Sequence, residues 1–198
     1  MKPGSPSTIN DFWKWFDAVH SHFGKHFENQ SLVDELDSRI ANMGNYSWEI
    51  GPGFRNPDNS MLVFSPSGDA QILEDTRNIV DRAPFIAGWE FYPAKPPKQW
   101  NRVFCMQISS NEIIDARSWS YVAHAENPGR FRLVIVAPAL NNMSPILRTI
   151  AAEIFLDGEV GEAERIHRIS SIEVVTSCDP EFALKSRPIA ELAATILS

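Results

Sequence analysis

Hydrophobic and polar positions follow one order twice along the chain. In the first stretch, alternating or short apolar segments at residues 46–50, 61–64 and 88–92 predict three strands. Between the second and third of them, Asp69 can cap a helix whose apolar residues recur at helical spacing. This stretch therefore predicts the order strand, turn, strand, helix, strand.

The second stretch repeats that order. Apolar segments at 120–123, 133–137 and 171–175 predict three strands, and residues 144–156 carry a helical pattern between the last two. A glycine-punctuated acidic segment, residues 157–168, separates this helix from the last strand and has no counterpart in the first stretch. We interpret the echo as an internal duplication, although strand-turn-strand-helix-strand is also a common pattern that can arise without one.

Two helices are predicted before the first stretch. Five apolar residues fall within one narrow arc at about 100° per residue: Phe12, Phe16, Val19, Phe23 and Phe27. Thr8 and Asp11 match a capping box at the start of this helix.

The second of these helices follows a short link. Ser31 and Asp34 match another capping box, and Gly44 stands where a left-handed C-cap would end the helix. Its apolar stripe consists of Leu32, Leu36, Ile40 and Met43. Because the link is short, the two helices are predicted to form an antiparallel hairpin.

Together these patterns predict an α+β fold: an N-terminal helical hairpin followed by two ββαβ units with mainly antiparallel sheet. The proline-rich segment Pro93–Lys98 is the best candidate for a linker. We expect one compact domain, 1–198, with these parts: a helical hairpin at 8–44, the first repeat at 45–93, the linker and an extra strand at 94–118, and the second repeat with its acidic insertion and a C-terminal helix at 119–198.

Composition narrows the classes of function. The net charge is −7, and no basic cluster is present, which disfavours nucleic-acid binding. No apolar run approaches the roughly 18 residues of a membrane span, and no signal peptide is evident, so we expect a cytoplasmic protein with no membrane partner. The two cysteines, Cys105 and Cys178, stand far apart and are expected to be free thiols.

Catalytic and cofactor motifs are missing from the sequence. It contains no nucleophile elbow, phosphate-binding loop, dinucleotide fingerprint or HExxH zinc motif. No cofactor and no metal is therefore predicted, and the sequence favours a non-catalytic protein over an enzyme.

Several pairs of residues suggest chemistry only weakly. His22 and His26 have the spacing of two metal ligands on a helix, but packing at the edge of an aromatic face is the better interpretation. Cys105 could form a thiol–imidazole pair with His124 or His167, although its apolar strand favours an inert thiol.

Glu90 and Glu173 occupy matching places in the two repeats. A pair of carboxylates across a pseudo-twofold axis could form an acid/base site. Because each glutamate alternates with apolar neighbours, a solvent-facing role is the simpler interpretation.

Two features are candidate partner-binding surfaces. The first is the aromatic cluster Phe12–Phe16, in which Trp13 and Trp15 could anchor a partner or a second copy of the chain. Its alternative is a helix wedged between other elements.

The second feature is the acidic segment, whose candidate residues are Asp157, Glu159, Glu162 and Glu164. Its alternative is a solvated acidic loop.

Three pieces of the chain resemble an uncharacterised bacterial family of unknown function. They are Phe12–Phe16; Ala83-Pro84 with Gly88–Phe91; and Leu156–Glu162 with Ile172-Glu173. The resemblance implies no activity and no catalytic residue. Some small acidic bacterial proteins neutralise toxins, and only analogy suggests such a role for this chain.

The sequence thus predicts a non-catalytic bacterial interaction protein, an immunity-type or regulatory protein binder, with a protein partner or a homodimer. The alternative is a small-molecule-binding protein or enzyme with a cleft between the two repeats. An exposed aromatic or acidic surface favours the first hypothesis, and a concave pocket lined by convergent polar groups favours the second.

Overall fold

A computed structural model describes residues 5–24, 26–107, 111–178 and 183–198. Within these ranges the chain forms six α-helices and three small sheets, which confirms the predicted α+β class and the two N-terminal helices. None of the helices in these ranges is both long enough and apolar enough to cross a membrane.

The chain divides into two units, Met1–Lys95 and Pro96–Ser198. The boundary falls inside Pro93–Lys98, the segment that the sequence marks as a linker. Each unit has its own hydrophobic core.

The first unit consists of three helices and a three-stranded sheet. In chain order its elements are α1 (Pro6–Val19), a 3₁₀ turn (His20–His22), α2 (Gln30–Met43), β1 (Ser47–Pro52), β2 (Ser60–Ser65), α3 (Ala70–Val80) and β3 (Trp89–Tyr92). Strand β2 lies in the middle, antiparallel to β1 and parallel to β3. The crossover through α3 accounts for the parallel pair.

Helix α1 starts earlier and ends earlier than its apolar stripe predicts. Ser5 is the N-cap, accepting a hydrogen bond from the Thr8 backbone N–H at 3.3 Å, and Pro6 occupies the first turn. The helix ends at Val19, yet Phe23 is buried in the same core. The aromatic stripe therefore predicts burial of Phe23 but not the position at which the helix ends.

Both ends of α2 differ from the expectation. Asn29, rather than Ser31, is the N-cap. Gly44 closes the helix with a φ of 167°, which is extended backbone rather than left-handed. A side chain at Gly44 would still be excluded, because an added Cβ would lie 2.5 Å from the ring of Tyr46. Close approach of the tyrosine, not backbone freedom, explains this glycine.

The second unit consists of a hairpin, a four-stranded sheet and three helices. Its elements are β4 (Val103–Gln107), β5 (Asn111–Asp115), β6 (Ser120–Asn127), β7 (Arg130–Val136), a 3₁₀ turn (Pro138–Leu140), α4 (Pro145–Val160), α5 (Glu162–Arg168), β8 (Ile169–Val175), β9 (Arg187–Pro188), a 3₁₀ turn (Ile189–Glu191) and α6 (Leu192–Leu197). The sequence predicts a turn at Ser109-Ser110-Asn111, of which Ser109 and Ser110 lie outside the described residues.

The sheet of the second unit has the order β8-β7-β6-β9. Strand β7 is antiparallel to β6 and parallel to β8, and β9 adds an antiparallel edge to β6. Three strands of this sheet thus share the order and directions of the first sheet, with β7 in the place of β2.

In each sheet a leucine of the middle strand lies in the core. Leu62 is opposite Phe91 in the first sheet, and Leu133 is opposite Ile172 in the second. Because side chains alternate along a strand, these pairs identify the face of each sheet that packs on its hydrophobic core.

Candidate functional site

The acidic segment is helical rather than a loop. Asp157 and Glu159 lie in the last turn of α4, Gly161 separates the helices with a φ of +86°, and Glu162 and Glu164 lie in α5. A positive φ suits glycine, so Gly161 allows the chain to turn from one helix into the next. The acidic side chains are consequently held on two short helical faces.

Each acidic side chain of this segment has a partner, and three of the four pair with arginines of the second unit. Asp157 pairs with Arg165 at 2.5 Å, and the carboxylate of Glu159, only 6% exposed, pairs with Arg102 at 2.6 Å. The hydrogen bonds to Glu159 raise the pKa of Arg102.

The other two acids follow the same pattern. Glu164 pairs with Arg168 at 2.6 Å, one helical turn away. Glu162 is 1% exposed and also has a partner. Arginines that neutralise carboxylates inside one unit contribute to its structure, so partner binding by this segment stays a prediction that the geometry does not specifically favour.

Trp13 lies inside the first core. Its side chain is 3% exposed, its indole N–H donates to the Ile79 carbonyl at 2.8 Å, and its ring lies 4.7 Å from that of Phe91. A buried indole with a satisfied N–H stabilises the fold through area and hydrogen bonding. This burial agrees with the alternative of a wedged helix.

Trp15 lies at the margin of the same core. It is half-buried, and the guanidinium of Arg39 stands 4.5 Å from the centre of its ring. Arg39 is itself paired with Glu35 at 2.8 Å. Trp15 is therefore covered in part by a cation–π contact within the unit.

Phe85 is an exposed aromatic residue that the sequence pattern does not single out. Phe85 is 94% exposed, whereas the next residue, Ile86, is 4% exposed. The Ile86 carbonyl accepts a hydrogen bond from the Trp89 N–H at 3.1 Å, and Gly88 adopts a φ of +78° between them. Phe85 directly precedes this turn and faces solvent, whereas Ile86 packs in the core.

A shallow groove borders this turn. Its volume is about 270 Å³, and its lining residues are Asn10, Trp13, Lys14, Asp17, Arg82 and Pro84. The lining thus combines the edge of the buried tryptophan with polar and charged side chains from α1 and the loop after α3. We name Phe85 and this groove the Phe85 surface.

The Glu90 side chain stabilises the turn between β1 and β2. Its carboxylate accepts hydrogen bonds from the backbone N–H groups of Arg55 and Asn56, each at 2.9 Å, from the Asn59 side chain at 3.2 Å and from the Tyr92 hydroxyl. Burial raises its pKa, but the four hydrogen bonds outweigh that effect and hold the pKa at about 2. Glu90 is therefore a structural anion.

Glu90 and Glu173 lie on corresponding faces of their sheets, opposite Met61 and Val134 of the middle strands and away from the core. Their surroundings differ, because Glu90 accepts hydrogen bonds from the turn between β1 and β2, whereas Glu173 lines a cavity of the second sheet.

Glu173 instead lines a cavity on the second sheet. The cavity has a volume of about 310 Å³, and its lining residues are His124, Arg132, Val134, Glu173, Val175, Ser177 and Cys178. His124 is opposite Arg132 across β6 and β7, and Val134 is opposite Glu173 across β7 and β8. All of these strand residues belong to the face opposite the core.

The remaining candidate residues do not assemble. His22 lies in the 3₁₀ turn and His26 after Gly24, so the two do not share a helix. Cys105 is exposed on β4, whereas His124 shares the cavity with Cys178. Among the described residues, no group of three or more His, Cys, Asp or Glu side chains could hold a metal ion.

Comparison with known proteins identifies no relative: no family model, curated protein or solved structure matches the chain. The resemblance of three short segments to a bacterial family stays a prediction.

Proposed function

We propose that this chain is a non-catalytic protein-binding protein, and that the Phe85 surface contacts the partner. The observation that supports the proposal is the 94% exposure of Phe85 directly before a buried residue that begins a turn. Aromatic side chains are among the residues that dominate binding energy in protein interfaces.

The surroundings of Phe85 resemble the rim of an interface. Lys14, Asp17 and Arg82 line the groove beside it, so polar and charged groups border an apolar anchor. Two of these three charges are positive in a chain whose net charge is −7. We therefore propose a partner that offers an apolar pocket for one aromatic ring, with acidic groups at its edge.

Trp13 supports this surface from beneath. Because its ring lines the groove while its N–H is bonded to Ile79, it holds the base of the surface in place. The aromatic helix predicted from the sequence thus contributes rigidity, and Phe85 supplies the contact. The narrower class, an immunity-type or regulatory binder, remains part of the proposal.

The test is site-specific photo-crosslinking in the host cell. A photoreactive phenylalanine analogue at position 85 is expected to yield one discrete protein adduct, and the same analogue at Ile113, an exposed apolar residue of the second unit, is the matched control. An adduct with the mass of two copies identifies a homodimer. Equal labelling at both positions, or no adduct at 85, contradicts the proposal.

Once the partner is known, Phe85→Ala measures the contribution of the ring. We expect affinity to fall by about 30-fold or more, the effect of losing an interface anchor of about 2 kcal/mol. Folding should change by less than about 0.5 kcal/mol, because the side chain is exposed. Ile146→Ala, another exposed apolar truncation, should leave the affinity unchanged.

We also infer that the two ββαβ stretches arose by duplication. The same order of the three strands with a helical crossover before the last, the same position for the middle strand and the same strand directions support this inference. The parallel pairing through a helix recurs in both units, although the second copy has two helices where the first has one.

A further inference from the structure

The cavity on the second sheet brings opposite charges together without pairing them. Arg132 and Glu173 lie on neighbouring strands and on the same face of the sheet. Within the part of the chain that the structure describes, neither side chain makes a hydrogen bond or ion pair. Elsewhere in this unit, arginines such as Arg102 and Arg165 do pair with carboxylates.

The rest of the cavity complements these two charges. Val175, which is half-buried, supplies apolar surface beside the buried Val134, and His124 stands opposite Arg132. Ser177 and Cys178, which follow the end of β8, add a hydroxyl and a thiol. A small apolar surface with a few convergent polar groups is the usual composition of a small-molecule site.

Size restricts the ligand. The volume of about 310 Å³ lies at the lower end of the range of about 300–1,000 Å³ for ligand pockets. A small metabolite fits this volume better than a nucleotide or a cofactor with several rings.

Charge restricts the ligand further. A guanidinium binds a carboxylate with two parallel hydrogen bonds, and a carboxylate binds an ammonium group. A molecule that carries both groups can satisfy Arg132 and Glu173 at once, with its apolar part against Val175. We propose that this cavity binds a free α-amino acid, with its carboxylate on Arg132, its ammonium group on Glu173 and an aliphatic side chain on Val175.

This site is independent of the Phe85 surface, because all of its residues belong to the second unit. The two proposals can therefore fail separately. A failed crosslinking experiment at position 85 does not contradict the amino-acid site, and absence of amino-acid binding does not contradict the Phe85 surface.

The test is a titration of the full-length, isotope-labelled protein followed by ¹H–¹⁵N correlation spectra. Each standard L-α-amino acid is added in turn at millimolar concentration. We expect at least one with an aliphatic side chain to shift the amides of Arg132, Val134 and Glu173 saturably, with a Kd below about 1 mM. If none of the amino acids does so, the proposal is wrong.

Two analogues of the best amino acid then separate its two charges. The deamino analogue keeps only the carboxylate, and the decarboxylated analogue keeps only the ammonium group. Each should bind at least about tenfold more weakly than the parent. A deamino analogue that binds as well as the parent would show a simple anion site and would overturn the assignment of Glu173.

Charge-removing variants locate the binding. Arg132→Gln and Glu173→Gln should each weaken binding by about tenfold or more, since each removes one charge-assisted contact. The matched controls are Arg130→Gln and Glu126→Gln, which remove the same charges at residues outside the cavity lining. Equal losses in the controls would contradict the proposed site.

Discussion

At the scale of single residues, one half-buried carboxylate holds the turn between β1 and β2. Glu90 collects donors from the turn between β1 and β2 and from its own strand. Gly53 belongs to the same arrangement, since an added Cβ would lie 2.7 Å from the Glu90 carboxylate and 2.3 Å from the Asn56 carbonyl. The turn between β1 and β2 therefore packs closely around the Glu90 carboxylate and donates hydrogen bonds to it.

Replacing Glu90 by glutamine tests this role. Glu90→Gln preserves the size of the side chain but removes its charge and one acceptor, so donors from Arg55 and Asn56 lose a charged partner. We expect the free energy of unfolding to fall by about 1–3 kcal/mol in urea denaturation. Glu74→Gln, at an exposed pair with Arg77, should cost less than about 1 kcal/mol. Equal effects of the two variants would contradict the structural role of Glu90.

The pKa of Glu90 predicts how acid destabilises the protein. Its pKa is about 2 when folded against an ordinary value of 4.5, so the folded state favours the ionised form. The resulting stabilisation is present above about pH 4.5 and is lost as the pH falls toward 2.

Urea midpoints measured between pH 5 and pH 2 check this dependence. The difference between the wild-type protein and Glu90→Gln should shrink as the pH falls through this interval. A difference that stays constant down to the lowest pH would show that the charge of Glu90 does not stabilise the folded state.

At the scale of elements, the start of α3 is encoded locally. Asp69 accepts hydrogen bonds from the Gln71 N–H at 2.7 Å and the Ile72 N–H at 3.3 Å, as the sequence predicts for a capping residue. Capping depends only on residues within one turn, which explains why the pattern suffices here.

Asp69→Ala should therefore destabilise the protein by about 1 kcal/mol. Asp69→Asn is the matched control and should change stability by only a few tenths of a kcal/mol, since both side chains cap well. Thermal unfolding followed by circular dichroism compares the three proteins. A loss with asparagine as large as that with alanine would indicate that capping is not the cause.

The acidic segment shows where local reasoning fails. Gly158 suggests a loop, but it lies within α4. A glycine is needed there because an added Cβ would stand 2.6 Å from the ring of Trp100. Glu159 is neutralised by Arg102, which is distant in sequence. Neither contact can be seen in the segment itself, so its glycines and charges predict a loop where the fold requires helices.

At the scale of the whole molecule, the two units have separate cores. Every buried residue of the second core lies between Met106 and Ile196, and every buried residue of the first lies between Ile9 and Ile86. A core that closes within one unit is the condition for independent folding.

We therefore expect the fragment 96–198 to fold by itself. Expressed alone, it should show cooperative thermal unfolding and a near-ultraviolet circular dichroism signal from Trp100 and Trp119. Phe155→Ala, which empties the centre of this core, should reduce its stability by about 3–5 kcal/mol. A fragment without cooperative unfolding or a near-ultraviolet signal would show that its core does not suffice.

The sequence by itself determined what depends on neighbours along the chain. The α+β class, the two N-terminal helices, the doubled strand-strand-helix-strand order and the Asp69 cap all follow from periodicity and capping, which act over a few residues.

Only the tertiary structure decided which side chains meet. In the tertiary structure Trp13 is buried, Phe85 is exposed, and Asp157, Glu159 and Glu164 pair with arginines. Arg132 and Glu173 line the same cavity. These outcomes depend on strand register and on contacts between residues far apart in sequence, and a register shift of one residue moves every side chain of a strand to the other face.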